Sequence, residues 1–151
     1  MLRVSIKDFL FWKKKQLSKG GDLQSFALLL DCLAGISTID QSLLGINPEC
    51  SLHLKHDLDH LESIWEDHLF NSSPIQYLCG ITFWRDLKLK VTNKVLIPRS
   101  ETELIVDIVF KIFPNRSEKL FFVELGTGSG AISIALALAY PFSEVVATDI
   151  D

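Results

Sequence analysis

The chain has 151 residues, 48% of them hydrophobic, with a mean hydropathy of +0.25; it can bury a sizeable core, and its length by itself points to one domain. A net charge of −4 and a pI near 5.5 leave no global basic field, which argues against a direct nucleic-acid partner held by its phosphates. The three cysteines, Cys32, Cys50 and Cys79, are odd in number and widely spaced, which excludes a disulfide scaffold or zinc ribbon and reads as reduced thiols of a cytoplasmic protein.

At the N-terminus, Lys7, Asp8 and the run Lys13-Lys14-Lys15 interrupt the apolar residues, so no signal-peptide core can be drawn. The most apolar windows, 26–30 and 131–140, fall short of the ~20 residues needed to cross a bilayer, so no membrane is expected. Through 2–70 apolar side chains recur at helical spacing: Leu23, Phe26, Ala27 and Leu30 in one stretch, Leu54, Leu58, Leu61, Trp65 and Leu69 in another. With breaks at Gly20-Gly21, at Gly35 with Ser37, at Asn47-Pro48 and at 71–74, this spacing predicts a bundle of four main helices. His53, His56 and His60 would share one face of the last helix, with Asp57 and Asp59 nearby, a spacing that suits a metal ion. That face lies opposite the leucine and tryptophan stripe and is read as solvated surface without metal. The lysine run is likewise read as solvated charge.

After Pro74 the pattern changes. Runs 81–85 and 87–92 alternate on either side of Asp86 and predict a hairpin. Ser100-Glu101-Thr102-Glu103 reads as a capping box, the Ser100 hydroxyl facing the Glu103 amide, and opens a helix over 101–113. A polar connection at 114–118, a strand over 120–125, a helix over 131–140 ended by Pro141 and a strand over 143–148 make a βαβ unit, the seed of a parallel sheet. Two parallel strands do not complete a sheet covered by helices on both faces. The expectation is therefore an α+β chain that is truncated: a helical bundle domain at 1–73, a linker and β-hairpin at 74–99, and an incomplete cofactor-binding domain at 100–151.

Glu124, Gly126, Thr127, Gly128, Ser129 and Gly130 fall between that strand and that helix, the setting in which a glycine turn carries meaning. A side chain at Gly126 or Gly128 would block the turn or hold a ligand off the backbone, and free amides at the helix start attract a carboxylate or phosphate. Asp149 ends the next strand, placed to accept both hydroxyls of a ribose. The two features specify a nucleoside-bearing cofactor. Because Gly126, Gly128 and Ala131 also satisfy G-x-G-x-x-A, NAD and S-adenosylmethionine both stay open on these residues alone.

Three upstream segments separate the two: Pro74-Ile75-Gln76-Tyr77-Leu78-Cys79-Gly80, then Phe83-Trp84, then Val95-Leu96-Ile97-Pro98-Arg99-Ser100-Glu101-Thr102-Glu103. In order and spacing they resemble the linker, hairpin and following loop of the release-factor glutamine methyltransferases, and with the glycine turn and Ala147-Thr148-Asp149 the resemblance covers 74–151. It implies a Rossmann-like methyltransferase domain with S-adenosylmethionine as cofactor and no metal. It also implies methyl transfer to the glutamine side-chain amide in the Gly-Gly-Gln loop of a peptide chain release factor, the protein partner, docked by the helical domain of a monomer. An amide nitrogen is a poor nucleophile, its lone pair delocalised into the carbonyl, so the site must fix it and align it with the methyl. In the family that work falls to an Asn-Pro-Pro-Tyr motif, which does not occur in the chain. The resemblance therefore implies no catalytic residue among these 151 and no activity from them alone.

Arg99, Thr102 and Glu103 are candidates to line the active site, whereas Gln76, Tyr77, Phe83 and Trp84 read as packing residues. Ser100 stands where the family usually has proline, which leaves that loop less rigid. Two further readings compete: a non-catalytic module whose helical domain docks a release factor, and a fragment of an NAD-binding oxidoreductase.

Overall fold

Side chains that accept a backbone amide set the helix starts in the first part of the chain. The Ser5 hydroxyl accepts from the Asp8 amide at 3.0 Å, Asp22 from Ser25 at 2.8 Å, the Ser37 hydroxyl from Asp40 at 3.2 Å and Asp57 from His60 at 2.7 Å. They open α1 (Ile6–Ser18), α2 (Leu23–Leu29), α3 (Thr38–Leu43) and α4 (Leu58–Phe70), and a short α5 (Ile75–Cys79) follows Pro74. The computed structural model describes residues 2–44 and 51–150, so the Asn47-Pro48 break and Cys50 lie outside the described residues. The chain forms two compact units, Met1–Gly80 and Ile81–Asp151; α5 falls in the first and the hairpin in the second.

The first unit is not helical throughout. β1 (Leu2–Ser5) pairs antiparallel with β2 (Ser51–Leu54), Leu2 opposite Leu54 and Ser5 opposite Ser51. Leu54 thus leaves the helical stripe in which its spacing placed it: it is wholly buried at a strand end, and the helix begins only past Asp57. The histidine face loses His53 for the same reason, while the His56 and His60 rings stay 4.8 Å apart between centroids. His53 lies on β2, His56 in the bend that follows and His60 on α4. Among the described residues no cluster of three or more metal-ligating side chains occurs.

Phe9, Trp12, Phe26, Leu29, Leu30, Leu61, Trp65 and Ile75 fill the core of this unit, with Phe26 meeting Trp65 edge-on at 4.9 Å between ring centroids. Gly21, at φ 87°, lies so close that a Cβ there would run into the Trp65 ring. α2 continues into a π-helical turn, Leu30–Ala34, ended by Gly35 in the left-handed region. Lys19 bridges α1 to α4 through Glu62 at 2.5 Å and Glu66 at 2.7 Å, and Lys15 reaches Glu62 at 3.3 Å.

In the second unit β3 (Ile81–Trp84) and β4 (Leu87–Lys90) form the expected hairpin about Arg85 and Asp86. A 3-10 turn, Ser100–Thr102, leads into α6 (Glu103–Ile112). The capping box is not formed. The Thr102 hydroxyl donates to the Arg99 carbonyl at 2.6 Å and tightens the turn, so Ser100 sits inside it rather than ahead of the helix, and the Ser100 hydroxyl meets the Glu101 carboxylate at 3.3 Å. β5 (Phe121–Leu125), α7 (Ala131–Ala139) and β6 (Glu144–Thr148) then make a parallel βαβ unit, Phe121 opposite Glu144 and Leu125 opposite Thr148. Trp84, Leu89, Val106, Leu136 and Tyr140 centre its core, and the Tyr140 hydroxyl donates to the Phe113 carbonyl at 2.6 Å. The strands alternate as half-buried strands do. Phe122 packs against this core while Phe121, Val123 and Leu125 are exposed. The chain is a mixed α/β protein.

Candidate functional site

β5 and β6 end side by side, and the chain leaves β5 through the turn 126–130. Gly126, Gly128 and Gly130 have φ of 73°, 55° and 77°, the left-handed region that residues with a Cβ avoid. Most turn amides are consumed within the protein. Gly126 and Thr127 donate to the Thr148 carbonyl at 2.8 and 3.0 Å, Gly128 to the Asp149 carboxylate at 2.6 Å, and Gly130 to the Thr127 carbonyl at 3.0 Å. The expectation of a turn with free amides is corrected on these four residues, because the end of β6 supplies acceptors to three of them and Thr127, within the turn, to Gly130.

Beneath the turn one carboxylate oxygen of Glu124 accepts from the Thr127 hydroxyl at 2.8 Å, from the Ser133 amide at 3.0 Å and from the Ser133 hydroxyl. A single carboxyl group thus fixes the strand end, the turn and the first turn of α7 together. Ser133 is nearly buried and was not among the expected site residues. Its signal in the sequence was its polarity, unique in the α7 run AISIALALA.

A cleft of about 170 Å³ opens over the turn, lined by Glu124, Gly126, Thr127, Gly128 and Ser129 together with Leu96, Pro98, Arg99 and Thr102 among others. A Cβ on Gly126 would project into open space, and one on Gly128 would touch Val95 at 3.6 Å, so the glycine surface is bare toward the cleft. Of the three loop candidates, Arg99 and Thr102 line this cleft. Glu103 does not, its carbonyl accepting from Arg85 at 3.2 Å. The Arg99 carbonyl is held by the Trp84 indole at 2.9 Å, which anchors the loop on the hairpin. Asp149, exposed at the end of β6, accepts from its neighbour Ile150 at 2.7 Å as well as from Gly128. The cleft is smaller than the roughly 300 Å³ at which ligand pockets begin.

No family model matches the chain. It is similar to the release factor glutamine methyltransferase of Prochlorococcus marinus, 40% identical over 146 residues, which is 96% of this chain and 50% of the relative. The protein of the same name from Thermosynechococcus vestitus is 37% identical over 84% of this chain and 43% of its own length. That of Gloeobacter violaceus is 34% identical over 91% and 48%. The chain spans about half the length of the curated relatives it matches. It belongs to the release factor glutamine methyltransferase family, as an N-terminal portion of its members.

Proposed function

We propose that a protein carrying this chain transfers a methyl group from S-adenosylmethionine to the glutamine side-chain amide in the Gly-Gly-Gln loop of peptide chain release factors, in the cytoplasm. In this reading the second unit is the opening of a Rossmann-like domain, and the turn 124–130 with Asp149 holds the cofactor. The helical domain at 1–73 docks the release factor.

The observation that carries the reading is the bond from the Gly128 amide to Asp149. A pyrophosphate, as NAD would bring, is held by helix-start amides that are free to donate. S-adenosylmethionine asks instead for a bare glycine surface beneath its methionine end, whereas the Asp149 carboxylate suits the ribose hydroxyls of either cofactor. The names of the relatives support the same choice. When bound, the cofactor supplies an electrophilic methyl on a sulfonium. The chain's part is to bind and orient: Glu124 holds the turn in shape, Asp149 takes the hydroxyls, and Arg99 and Thr102 border the opening. Asn-Pro-Pro-Tyr does not occur in these 151 residues, so the groups that present the amide come from other residues and methyl transfer needs them.

Isothermal titration of S-adenosylhomocysteine and NAD, in separate runs, into this chain and into one extended to the full span of its relatives tests the reading. Saturable S-adenosylhomocysteine binding by the longer chain, with no NAD binding, is expected. Binding of NAD, or no S-adenosylhomocysteine binding by either chain, overturns it.

A further inference from the structure

Among the described residues only Ser72 and Arg85 combine a side chain with a left-handed backbone. Arg85 has φ 50° and lies in the tight turn between β3 and β4, where Trp84 stands opposite Leu87. Such turns favour glycine or asparagine at a position of positive φ, and backbone strain of this kind persists only where surrounding contacts hold it. The contacts that hold Arg85 lie along α6. Its guanidinium Nη1 donates to the Glu103 carbonyl at 3.2 Å and meets the Asp107 carboxylate at 2.9 Å, and its Cζ lies 5.7 Å from the centroid of the Phe110 ring. Glu103, Asp107 and Phe110 follow the spacing of one helix face, so a single side chain grips α6 over successive turns.

The neighbouring residue acts on the segment just before that helix. The Trp84 indole donates to the Arg99 carbonyl at 2.9 Å, a group that also accepts from the Thr102 hydroxyl at 2.6 Å. The hairpin end therefore holds the loop through Trp84 and the start of α6 through Arg85. That loop borders the cleft: Pro98, Arg99 and Thr102 line it together with Gly126 and Gly128, and a Cβ on Gly128 would stand 3.6 Å from Val95. The space left for a ligand is thus set by where the loop stands over the glycine turn.

We infer that Arg85 is a positioning residue of the cofactor cleft: by gripping α6 at Glu103 and Asp107 it fixes the loop that leads into that helix, and with it the width of the opening. Arg85 itself does not line the cleft and acts only through the loop. The inference rests on the reading of the cleft as the S-adenosylmethionine site. Glycine would be the relaxed residue for the turn; arginine keeps the hairpin strained, and its hold on α6 is what a glycine there would lack.

The test uses the chain extended to the full span of its relatives, beside Arg85→Gly, Arg85→Ala and Arg85→Lys. Each is melted without ligand and titrated with S-adenosylhomocysteine below the melting temperature of the least stable variant. Glycine removes the contacts and the strain together, whereas alanine removes the contacts and keeps the strain, so Arg85→Gly should melt above Arg85→Ala and near the parent. Both should nevertheless bind S-adenosylhomocysteine roughly 2- to 30-fold more weakly than the parent, the range for residues that act on a site without touching its ligand. Arg85→Lys, which keeps a positive charge beside Asp107, should recover part of the loss. A purely structural role gives another order, in which Arg85→Gly binds as the parent does and any loss in Arg85→Ala follows its melting temperature. That order, parent affinity in all three variants, or Arg85→Gly melting below Arg85→Ala overturns the inference and leaves the cofactor reading in place. No binding by the parent overturns the cofactor reading, and this inference with it.

Discussion

The amide of Gly128 donates to the carboxylate of Asp149 at 2.6 Å, tying the glycine turn to the end of the strand beside it. Asp149 therefore has two tasks in the proposed site, to brace the turn and to accept ribose hydroxyls. Asp149→Ala removes both and should weaken S-adenosylhomocysteine binding by the extended chain about 10- to 100-fold, the loss of one charge-assisted hydrogen bond of ~1.5–3 kcal/mol. Asp149→Asn keeps one oxygen acceptor and should fall between. Titration calorimetry on the three chains reads the order, and equal affinity in all of them would remove Asp149 from the site.

Glu124, half-buried, and Ser133, nearly buried, form a second pair. Glu124→Ala should cost about 2 kcal/mol in the second unit, and Ser133→Ala about 1 kcal/mol. Because the two share one oxygen, a double-mutant cycle should show a coupling above about 0.5 kcal/mol, whereas independent sites add. Chemical denaturation of the four chains gives the answer.

Gly21 has neither the backbone angle nor the space for a side chain. Gly21→Ala should destabilise the first unit by about 2–4 kcal/mol, through strain at positive φ and displacement of the Trp65 ring. Gly20, at φ 119° with nothing within 4 Å of the added Cβ, meets only the strain. Gly20→Ala should cost distinctly less in the same thermal melt.

Gln16 is wholly buried, and neither its amide nitrogen nor its oxygen meets a partner among the described residues; the same holds for the Trp12 indole nitrogen. A buried unpaired polar group costs about 1–3 kcal/mol, and an unbranched apolar side chain of similar length does not. Gln16→Met should therefore raise the stability of the first unit by about 1–2 kcal/mol. It leaves in place the Gln16 carbonyl that accepts from the Trp65 indole at 3.3 Å. A lowered melting temperature would show that the amide finds partners in solution.

Ionisation adds a dependence on pH at both extremes. Hydrogen bonding from Lys19 holds the Glu62 carboxyl below its ordinary 4.5, and the Ser25 amide holds Asp22 below 3.8. Each folded value lies under the unfolded one, so this stability is complete above those values and is lost as the pH falls through the lower folded ones. Lys19 is raised from 10.5 by Glu62 and Glu66, so its share is complete below 10.5 and is lost as the pH rises through the higher folded value. Glu62→Gln should flatten the acid limb of a melting-temperature profile. Lys19→Met should flatten the alkaline limb, both effects being small and weakened by salt because these groups are partly exposed to solvent.

Much of this was legible from local signals. The spacing of Phe26 with Leu30, and of Leu58, Leu61, Trp65 and Leu69, marked true helices because the buried face of a helix repeats within a few residues. The glycine turn was legible because it sits between a strand and a helix whatever surrounds it. The β1 and β2 ribbon was not, since two runs of four residues nearly fifty positions apart pair only through the fold. Leu54 shows the cost: its spacing matches the helix that follows, and only Asp57, a capping residue between them, separates strand from helix. Ser100 shows the converse, a correct capping pattern defeated by the stronger local bond of Thr102 to Arg99. Glu124 was expected at the ligand, yet one of its oxygens is spent on Thr127 and Ser133, contacts that no spacing rule anticipates.

Trp12 and Trp65 are buried in the first unit and Trp84 in the second, where its indole is tied to the loop that borders the cleft. The chain thus carries its own fluorophores, two for one unit and one for the other. Trp84→Phe leaves an emission spectrum that belongs to the first unit alone, and subtracting it from the parent isolates a single indole bonded to the loop that borders the cleft. Unfolding of either unit and events at the cleft can then be followed in the same cuvette without an external dye.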